Sequence, residues 1–581
     1  PMLDKSSDTP GFTARAAVIA VVLSLFLLAS STYIAVKIGA LPWPIVFSVI
    51  VSGGIIKLLN RRRPVNIHEI NVAQAGASIG GLIAAGIAFT VPGILFLNQS
   101  QGLQIDWPNP WLLGLLTALA ALLGVLLSIP LKQTFIDQEQ LPYPAGTAGA
   151  ELLKLGKAGG SQMLAIVVFG AAAALFALLR DVYFPAGLSF PALAALGFFI
   201  VLYPMPLAVS AGYILGPRAS LSWFGGAALG WLLIVPLLIG NQFEVAAARS
   251  WIQNLGMGMV LGSGIGFFFT YIIPRLRQIF GPLLKSRSIL LRLFPLFSIL
   301  GLFGLLLIGV PFFAAFLTVI GVWMMVTVAA RMTGETNINP LEQFGIFIGL
   351  VIAFIYHLAG LELGMFASFM IVAFVSVATA VAGDAGHDFK SAAIVGTRFR
   401  DIIKVDLIAA AAAGFAAPLV LESLRSGFAG SLFTDLMPAP QAKLVASSIF
   451  GFDYPGVFLS GFAIAFGGEV INHLLPARFR NRVMIMPLGI GLFLGLGLAI
   501  PIVLGALVRG YIDRNHPQRY HGGLLIAAGV MGGEGIAGFS AGALTTAGLA
   551  FTSGAYILMG VFGLVLLAAL GIKRFLPEEK F

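Results

Sequence analysis

Residues 111–130 have the sequence Trp-Leu-Leu-Gly-Leu-Leu-Thr-Ala-Leu-Ala-Ala-Leu-Leu-Gly-Val-Leu-Leu-Ser-Ile-Pro, without one charged side chain. A helix rises about 1.5 Å per residue, so a stretch of this length crosses the roughly 30 Å hydrocarbon core of a bilayer. A strand of a membrane β-barrel would instead alternate apolar and polar residues. This stretch therefore predicts a transmembrane helix.

Similar apolar stretches recur along the chain. They lie near 13–36, 41–59, 77–97, 111–130, 160–180, 187–204, 219–240, 253–274, 289–308, 310–330, 341–357, 362–382, 405–421, 445–466, 483–508, 523–549 and 551–571. They predict an all-α polytopic membrane protein with about 16 transmembrane helices. Glycines 532, 533 and 535 inside 523–549 suggest that some segments are broken or re-entrant.

The composition supports this fold class. Of the 581 residues, 59% are hydrophobic and 10% are charged, against about 25% charged in a typical soluble protein. The chain has no cysteine, which excludes disulfides, thiolate metal sites, iron–sulfur clusters and a cysteine nucleophile. Its first 15 residues do not resemble a cleavable signal, so segment 13–36 is expected to be retained.

Lysine and arginine predict the orientation. They are concentrated in the loops that follow even-numbered apolar segments, for example at 61–63, 275–292 and 398–404. By the positive-inside rule these loops and the N-terminus are cytoplasmic. The basic group at 509–519 does not fit this pattern. Because the net charge of +10 is spread in small groups, we expect the chain to contact the lipid bilayer and no nucleic acid.

An internal repeat is indicated by short matches that occur in the same order in both halves. The pairs are Pro44 with Pro311, 69–72 with 335–338, 146–154 with 396–404, 205–207 with 486–488, and 262–265 with 533–536. They predict a first repeat of about eight transmembrane segments in 1–285 and a second of about eight in 286–581. Duplicated halves with a site between them are typical of carriers.

The densest polar stretch between two apolar segments is 333–345, Thr-Gly-Glu-Thr-Asn-Ile-Asn-Pro-Leu-Glu-Gln-Phe-Gly. Its glycine and proline disfavour a continuous helix and leave backbone groups free. We therefore predict that its polar side chains bind substrate: Glu335, Asn337, Asn339, Glu342 and Gln343. An ordinary cytoplasmic turn that starts a helix remains the alternative.

Two places in the first half are predicted to join this site. Asn71 lies in an amide-rich stretch, 66–74, that matches 333–345 and is followed by glycines; a helix start at the membrane surface is the alternative. Tyr143, between Pro142 and Pro144, lies in a predicted re-entrant or interfacial turn.

Ionisable residues at membrane depth cost about 2.5 kcal/mol or more, so they are functional candidates. Glu342 and Glu534 are predicted proton carriers, and Glu534 has no basic neighbour in sequence. Glu469 and His473 lie four residues apart, where they can share a proton on one helix face; a solvated helix end is equally compatible. Residues 384–390, with two aspartates and a histidine, are expected to form a solvated loop or gate, with a divalent-metal site as the alternative.

The charge balance of the site also follows from the sequence. No lysine or arginine is expected deep in a span. A substrate carboxylate would then meet broken-helix N-termini and the amides of Asn71, Asn337 and Asn339. A substrate amine or bound cation would pair with Glu335, Glu342 or Glu534.

Signals for an enzyme are weak. Two G-x-S-x-G matches, around Ser78 and Ser540, are expected by chance among 71 glycines and follow no predicted strand. No nucleotide-binding loop or zinc-protease motif occurs, so a carrier would use an ion gradient. A membrane-embedded hydrolase or transferase, or a passive channel, remains the alternative. No cofactor is expected.

The stretch 333–345, the Leu-Pro-Tyr-Pro-Ala-Gly-Thr turn at 141–147 with Glu151, and the Gly-Gly-Glu-Gly at 532–535 together resemble the oligopeptide transporter (OPT) family. The resemblance covers nearly the whole chain and is closer to the yellow stripe-like, bacterial branch. It implies proton-coupled import, across the bacterial inner membrane, of small peptides or of metals held by siderophore- or nicotianamine-like chelators. A homodimer is one assembly left open.

Overall fold

The computed structural model describes residues 10–39, 45–59, 66–154, 161–183, 188–195, 197–275, 293–337, 339–434, 437–476 and 482–546. Within these ranges the chain is almost wholly helical. The predicted segment 551–571, the Arg61 to Arg63 cluster and Pro44 lie outside the described residues.

The first helices are α1 Ala14–Ile38, α2 Ile45–Leu59, α3 Ile67–Ala88, α4 Gly93–Gln101, α5 Pro110–Leu131, α6 Pro144–Lys154, α7 Ser161–Tyr183, α8 Pro191–Ala195, α9 Pro206–Leu215, α10 Pro217–Ala228, α11 Val235–Gly240 and α12 Val245–Phe267. Those that follow are α13 Leu293–Leu307, α14 Phe312–Thr336, α15 Leu341–Leu358, α16 Met365–Val395, α17 Phe399–Gly427, α18 Pro440–Phe450, α19 Pro455–Leu474, α20 Ile485–Leu494, α21 Leu496–Asn515 and α22 Tyr520–Thr546. π-helical stretches extend three of them, at Lys132–Gln138, Leu229–Ile234 and Phe268–Ile272, and single 3₁₀ turns lie at Ile273–Arg275 and Pro517–Arg519.

Polar side chains cap the first turn of several helices. The Thr13 side chain accepts a hydrogen bond from the Ala16 N–H at the start of α1, and Asn66 accepts one from the His68 N–H at the start of α3. Asn109 caps α5, with Pro110 at the first helical position. These side chains satisfy N–H groups that have no partner inside the helix.

Twelve helical runs in the described ranges are long and apolar enough to cross a bilayer. The protein is therefore a polytopic, helical membrane protein, as its sequence predicts. Shorter apolar helices complete the bundle, such as Pro206–Leu215 and Ile485–Leu494.

The predicted breaks differ in position from the observed ones. Segment 187–204 does not span: it contains the five-residue helix α8 between two-residue strands β1 (Leu188–Ser189) and β2 (Val201–Leu202), which pair antiparallel. Gly451 and Gly495, both at positive φ, interrupt segments 445–466 and 483–508. By contrast, α22 continues through glycines 532–535, since glycine lowers helix propensity without forbidding a packed helix.

Helices α3 and α16 form the centre of the bundle and pack against each other. Every residue from Glu69 to Ala88 in α3 and from Ala367 to Phe389 in α16 is buried. A helix buried on all sides must satisfy its polar side chains inside the protein. Polar residues on these two helices are therefore the first place to seek a site.

Close glycine contacts relate the two halves. A Cβ on Gly212 of α9 would overlap the backbone of Ile502 in α21, and one on Gly505 of α21 would overlap Val209. The same reciprocal contact joins α10 and α20: Gly226 with Leu488, and Gly491 with Trp223. The two contacts are related by a constant shift of 279 residues: Gly212 corresponds to Gly491, and Gly226 corresponds to Gly505. This register matches Val209 with Leu488, two residues away from the sequence alignment, which matched Leu207 with Leu488.

Candidate functional site

The central part of α16 carries polar residues that are buried. Asp384, His387, Asp388 and Ser391 lie in the interior of this 31-residue helix, and the first three have no solvent-exposed surface. The expectation of a solvated loop at 384–390 is therefore wrong. The apolar segment continues past its predicted end at 382, because neighbouring helices supply polar partners that its own sequence does not reveal.

One face of α16 is joined to α3 by hydrogen bonds. Ser78 Oγ donates to Asp384 Oδ2 at 2.6 Å, and Gln74 Nε2 donates to Asp388 Oδ1 at 3.3 Å. Ser391 Oγ donates to Asn71 Oδ1 at 2.7 Å. The predicted substrate residue Asn71 thus lies fully buried in a polar contact between two central helices.

Helix α17 completes this contact. Asn71 Nδ2 donates to Thr397 Oγ1 at 2.9 Å, just before α17 begins. Further along α17, Asp406 is fully buried and interacts electrostatically with Asp384 and Asp388. Both of its carboxylate oxygens lack a hydrogen-bond partner among the described residues. Sequence reasoning missed Asp406, because it lies in an apolar run with no motif around it.

A neighbouring face of α16 contacts the turn that contains Tyr143. The Tyr143 N–H donates to Gly334 O at 2.8 Å, and its hydroxyl donates to Ala330 O at 2.8 Å. Its ring meets the His387 ring edge to face, with centroids 5.4 Å apart. Tyr143 is almost fully buried. In this conformation it joins α14 to α16 and its polar groups are already paired.

The predicted break at 333–345 is present between α14 and α15. Asn337 has a left-handed conformation, φ 61°, at the C-terminal end of α14, and its Oδ1 accepts a hydrogen bond from the Ala145 N–H at 3.2 Å. Glu335 lies in the last turn of α14, and its side chain lies outside the described residues.

Beside this break, several buried polar atoms have no partner within the described ranges. They are Thr333 Oγ1, Asn339 Oδ1, Gln343 Oε1 and Ser376 Oγ. Asn339 also donates from Nδ2 to Thr379 O at 2.9 Å, which holds it against α16. A Cβ added at Gly383 would overlap both Asn339 Nδ2 and Thr333 Oγ1. These two polar groups therefore lie against the backbone of α16, at a position that has no side chain. Thr333 begins the predicted polar stretch but is not among its predicted binding residues, and Ser376 and Thr379 look like ordinary helix residues in the sequence.

Glu342 and Gln343 start α15, and both are buried. Gln343 lies in a narrow, mainly apolar pocket with Gly264, Phe268, Met325 and Phe347. The two side chains are thus adjacent in sequence to the break, while the pocket extends toward α12 rather than toward Asp384.

Glu534 of α22 has a basic partner. Its Oε1 lies 2.5 Å from Arg180 Nη1 of α7, and its Oε2 accepts the Leu207 N–H of α9 at 2.8 Å. The Arg180 guanidinium also lies over the Tyr203 ring. Lys37 is likewise buried beside Tyr203, and Arg331 is buried and paired with Glu139.

Buried cations therefore occur inside the protein near the ends of α1, α7 and α14, while the expectation that none lies deep in a span stays a prediction. These cations stand near the ends of apolar stretches, where a single sequence cannot show that other helices cover them. Glu534 is predicted to carry a proton because it has no basic neighbour in sequence, whereas the structure pairs it with Arg180 from another helix; removing one partner of such a buried pair leaves an uncompensated charge.

Glu469 and His473 lie on α19, as predicted. Glu469 is half-buried, and Ser263 Oγ of α12 donates to its Oε1 at 2.6 Å. Ser263 and Glu534 occupy matching positions in the predicted repeat, 271 residues apart. At both positions a carboxylate links two helices: Ser263 of α12 donates to Glu469 of α19, and Glu534 of α22 accepts from Arg180 of α7.

The two serines of the G-x-S-x-G matches lie in different surroundings. Ser78 is fully buried and donates to Asp384, and Ser540 is exposed on α22. No group of three or more histidine or acidic side chains in the described ranges has metal-binding geometry.

Comparisons with known proteins agree with this architecture. The family model described as OPT oligopeptide transporter protein matches residues 11–276 and 286–545. A Haemophilus influenzae protein named "Putative oligopeptide transporter" is 25% identical over 598 aligned positions, which cover 87% of this chain and 91% of that protein. This family comprises transporters, not enzymes. The chain is a multi-pass membrane protein that belongs to the OPT oligopeptide transporter family.

Proposed function

We propose that this protein is a secondary active importer that uses protons to move small oligopeptides across the bacterial cytoplasmic membrane. The observation that carries the proposal is the group of buried polar atoms on Thr333, Asn339 and Ser376, the last of which lies on α16, that have no partner among the described residues. Buried polar atoms are normally paired. A peptide, which presents alternating N–H and C=O groups, is a ligand able to pair with them.

The substrate site is proposed to lie between the break at 337–340 and α16, with Gln343 at its edge. Asn337 and Tyr143 hold its wall, since their polar groups bond within the protein. Glu335 and Glu342, at the two sides of the break, are proposed to meet the amino end of the peptide. Asn71 supports the site from behind α16, through Ser391.

A repeated architecture supports the carrier mechanism. The reciprocal contacts of α9 with α21 and of α10 with α20 have the same register, which favours two repeats divided near residue 285. Two repeats that rock against each other can expose a central site to each side in turn. A passive channel needs no such arrangement.

Ligand class can be tested by thermal unfolding of the purified protein in detergent against di- to hexapeptides and against iron and nickel chelates. A ligand stabilises the state that it binds, by about 2.7 kcal/mol at a hundred times its Kd. We expect stabilisation by peptides. Stabilisation by chelates alone would replace the peptide with a siderophore- or nicotianamine-like substrate.

Energy coupling can be tested in proteoliposomes. Peptide accumulation is expected under an inward proton gradient and is expected to stop when the pH difference and the membrane potential are both collapsed. Accumulation at the full rate without either gradient would refute proton coupling.

A further inference from the structure

Three aspartates lie together where α3, α16 and α17 pack. Asp384 and Asp388 are one turn apart on α16, and Asp406 comes from α17. All three are fully buried. Ser78 donates to one oxygen of Asp384 and Gln74 to one oxygen of Asp388.

Four carboxylate oxygens at this place have no partner among the described residues: Asp384 Oδ1, Asp388 Oδ2 and both oxygens of Asp406. Asp406 is an independent observation, because it comes from another helix and has no donor at all within the described ranges. A buried acceptor without a donor costs about 1–3 kcal/mol, and more for a charged group. The arrangement therefore indicates a ligand that donates to carboxylate oxygens.

The charged groups of the surrounding helices are engaged elsewhere. On α3 and α1, Glu69 pairs with Arg15 at 2.5 Å. At the start of α17, Asp401 accepts the Gly11 and Phe12 N–H groups, and Lys404 lies over the Phe12 ring.

The two neighbouring histidines also have partners. His68 Nδ1 lies 3.2 Å from Thr397 Oγ1, and His387 Nδ1 accepts the Gly146 N–H at 3.2 Å. Asp388 interacts electrostatically with the other two aspartates.

Three carboxylates in a low-dielectric interior cannot all stay ionised beside two neutral donors. Either a cation or protons must neutralise them. A metal ion requires several oxygens that converge on one point at short distance, and no acidic group in the described ranges has that geometry. Protons need only a lone pair each.

We propose that Asp384, Asp388 and Asp406, with Ser78 and Gln74 as donors, form the proton-binding site that couples transport. This inference rests on the proposed function and assigns coupling to two aspartates that the sequence placed in a solvated loop or gate, together with Asp406, which the sequence did not single out. Asp384 and Gly383 are adjacent on α16, and Gly383 lies against Asn339 and Thr333. Proton occupancy on one face of α16 can therefore change the position of the substrate wall on the next.

The test begins with infrared difference spectra, between high and low pH, of the full-length wild-type protein in lipid. We expect the carbonyl band of protonated carboxylic acids to lose intensity in Asp384→Asn, Asp388→Asn and Asp406→Asn. The control Asp106→Asn, at an exposed position, is expected to leave it unchanged. A band unaffected by all three substitutions would overturn the site.

For a variant that does not fold, dicyclohexylcarbodiimide labelling of the wild type gives a second measurement, because it reacts with protonated carboxyl groups in apolar surroundings. Adducts mapped by mass spectrometry to any of the three aspartates would support the proposal. Adducts confined to Glu342, Glu469 or Glu534 would overturn it. Thermal stabilisation by Na⁺ in the wild type that is absent from the variants would also overturn it, in favour of a sodium site.

Transport measurements distinguish a failure of this coupling site from a failure of the proposed function. With radiolabelled trialanine, we expect the variants to retain gradient-free counterflow and to lose gradient-driven accumulation by about tenfold or more. Variants that accumulate trialanine like the wild type would refute the coupling site alone. A wild type that accumulates no peptide under a proton gradient would refute the proposed function, while the infrared spectra still decide whether the aspartates bind protons.

Discussion

Asn337 and Asn339 are two residues apart, and the fold gives them different tasks. Asn337 ends α14 in a left-handed conformation and holds the Ala145 N–H. Asn339 faces α16 and keeps one amide oxygen unpaired within the described ranges. The sequence predicts the same role for both, because residue type alone does not separate a helix cap from a binding group.

This difference predicts two outcomes for alanine. Asn339→Ala is expected to weaken peptide binding by about 0.5–1.5 kcal/mol, or two- to tenfold in Kd, because one ligand hydrogen bond is lost. Asn337→Ala is expected to lower thermal stability instead, since alanine adopts positive φ at a cost of about 1–2 kcal/mol.

Titration of peptide binding and thermal unfolding in detergent measure the two effects separately. Asn337→Gly is the matched control, because glycine accepts the left-handed backbone and loses only the side-chain bond. Equal losses of stability in Asn337→Ala and Asn337→Gly would argue against the backbone explanation.

Arg180 and Glu534 form a buried ion pair, and removing one partner leaves an uncompensated charge. Arg180→Ala is expected to destabilise the protein by about 3–5 kcal/mol. The double variant Arg180→Met, Glu534→Gln is expected to recover much of this loss, since no charge is left unpaired. Thermal unfolding of the purified protein measures both.

The partly exposed pair Lys132–Asp137 is the control for this prediction. Its Nζ and Oδ2 atoms are 2.7 Å apart, but the Asp137 side chain is 43% exposed, so Asp137→Asn is expected to cost less than about 1 kcal/mol. A double variant no more stable than Arg180→Ala would mean that the pair contributes more than charge compensation.

At the scale of elements, glycine contacts fix how helices approach. Gly226 and Gly225 are neighbours on α10, yet a Cβ on Gly226 would overlap the backbone of α20, whereas one on Gly225 would touch nothing within 4 Å. Helix pairs in membranes pack through such small residues because backbone contact replaces hydrophobic burial.

Gly226→Val is therefore expected to separate α10 from α20 and to lower the unfolding temperature. Overpacking against side chains costs about 1–3 kcal/mol. The cost here is expected to be higher, because the backbone of α20 cannot rearrange as side chains do. Gly225→Val is the adjacent control and is expected to change stability little. If the two variants unfold at the same temperature, the described contact does not hold these helices together.

At the scale of the molecule, α5 and its π-helical extension separate two loops. Asp106 precedes this helix and Asp137 lies at its end. The distribution of lysine and arginine predicts that 106 faces the periplasm and 137 the cytoplasm.

The absence of cysteine makes this orientation directly measurable. In intact cells, an impermeant maleimide is expected to label Asp106→Cys but not Asp137→Cys, and to label both after permeabilisation. The opposite pattern would invert the proposed topology and place the N-terminus outside.

The sequence by itself determined the fold class. Whether a segment can cross a bilayer depends on its own apolar length and its lack of charge, and both are local properties of the sequence. It also predicted a helix break within 333–345, because proline disfavours helix in its own segment; the structure ends α14 at Thr336 and starts α15 at Leu341, directly after Pro340. The family resemblance rests on the same local stretches, and the family comparison confirms it.

Only the tertiary structure decided which polar groups are paired. Glu534 meets Arg180 across 354 positions, and Ser78 meets Asp384 across 306; no local pattern encodes such contacts. The same limit explains why 384–390 looked solvated and why Asp406 went unnoticed. Burial and pairing depend on what the rest of the bundle places beside a residue, and those two quantities set the free energy of a charge inside a membrane protein.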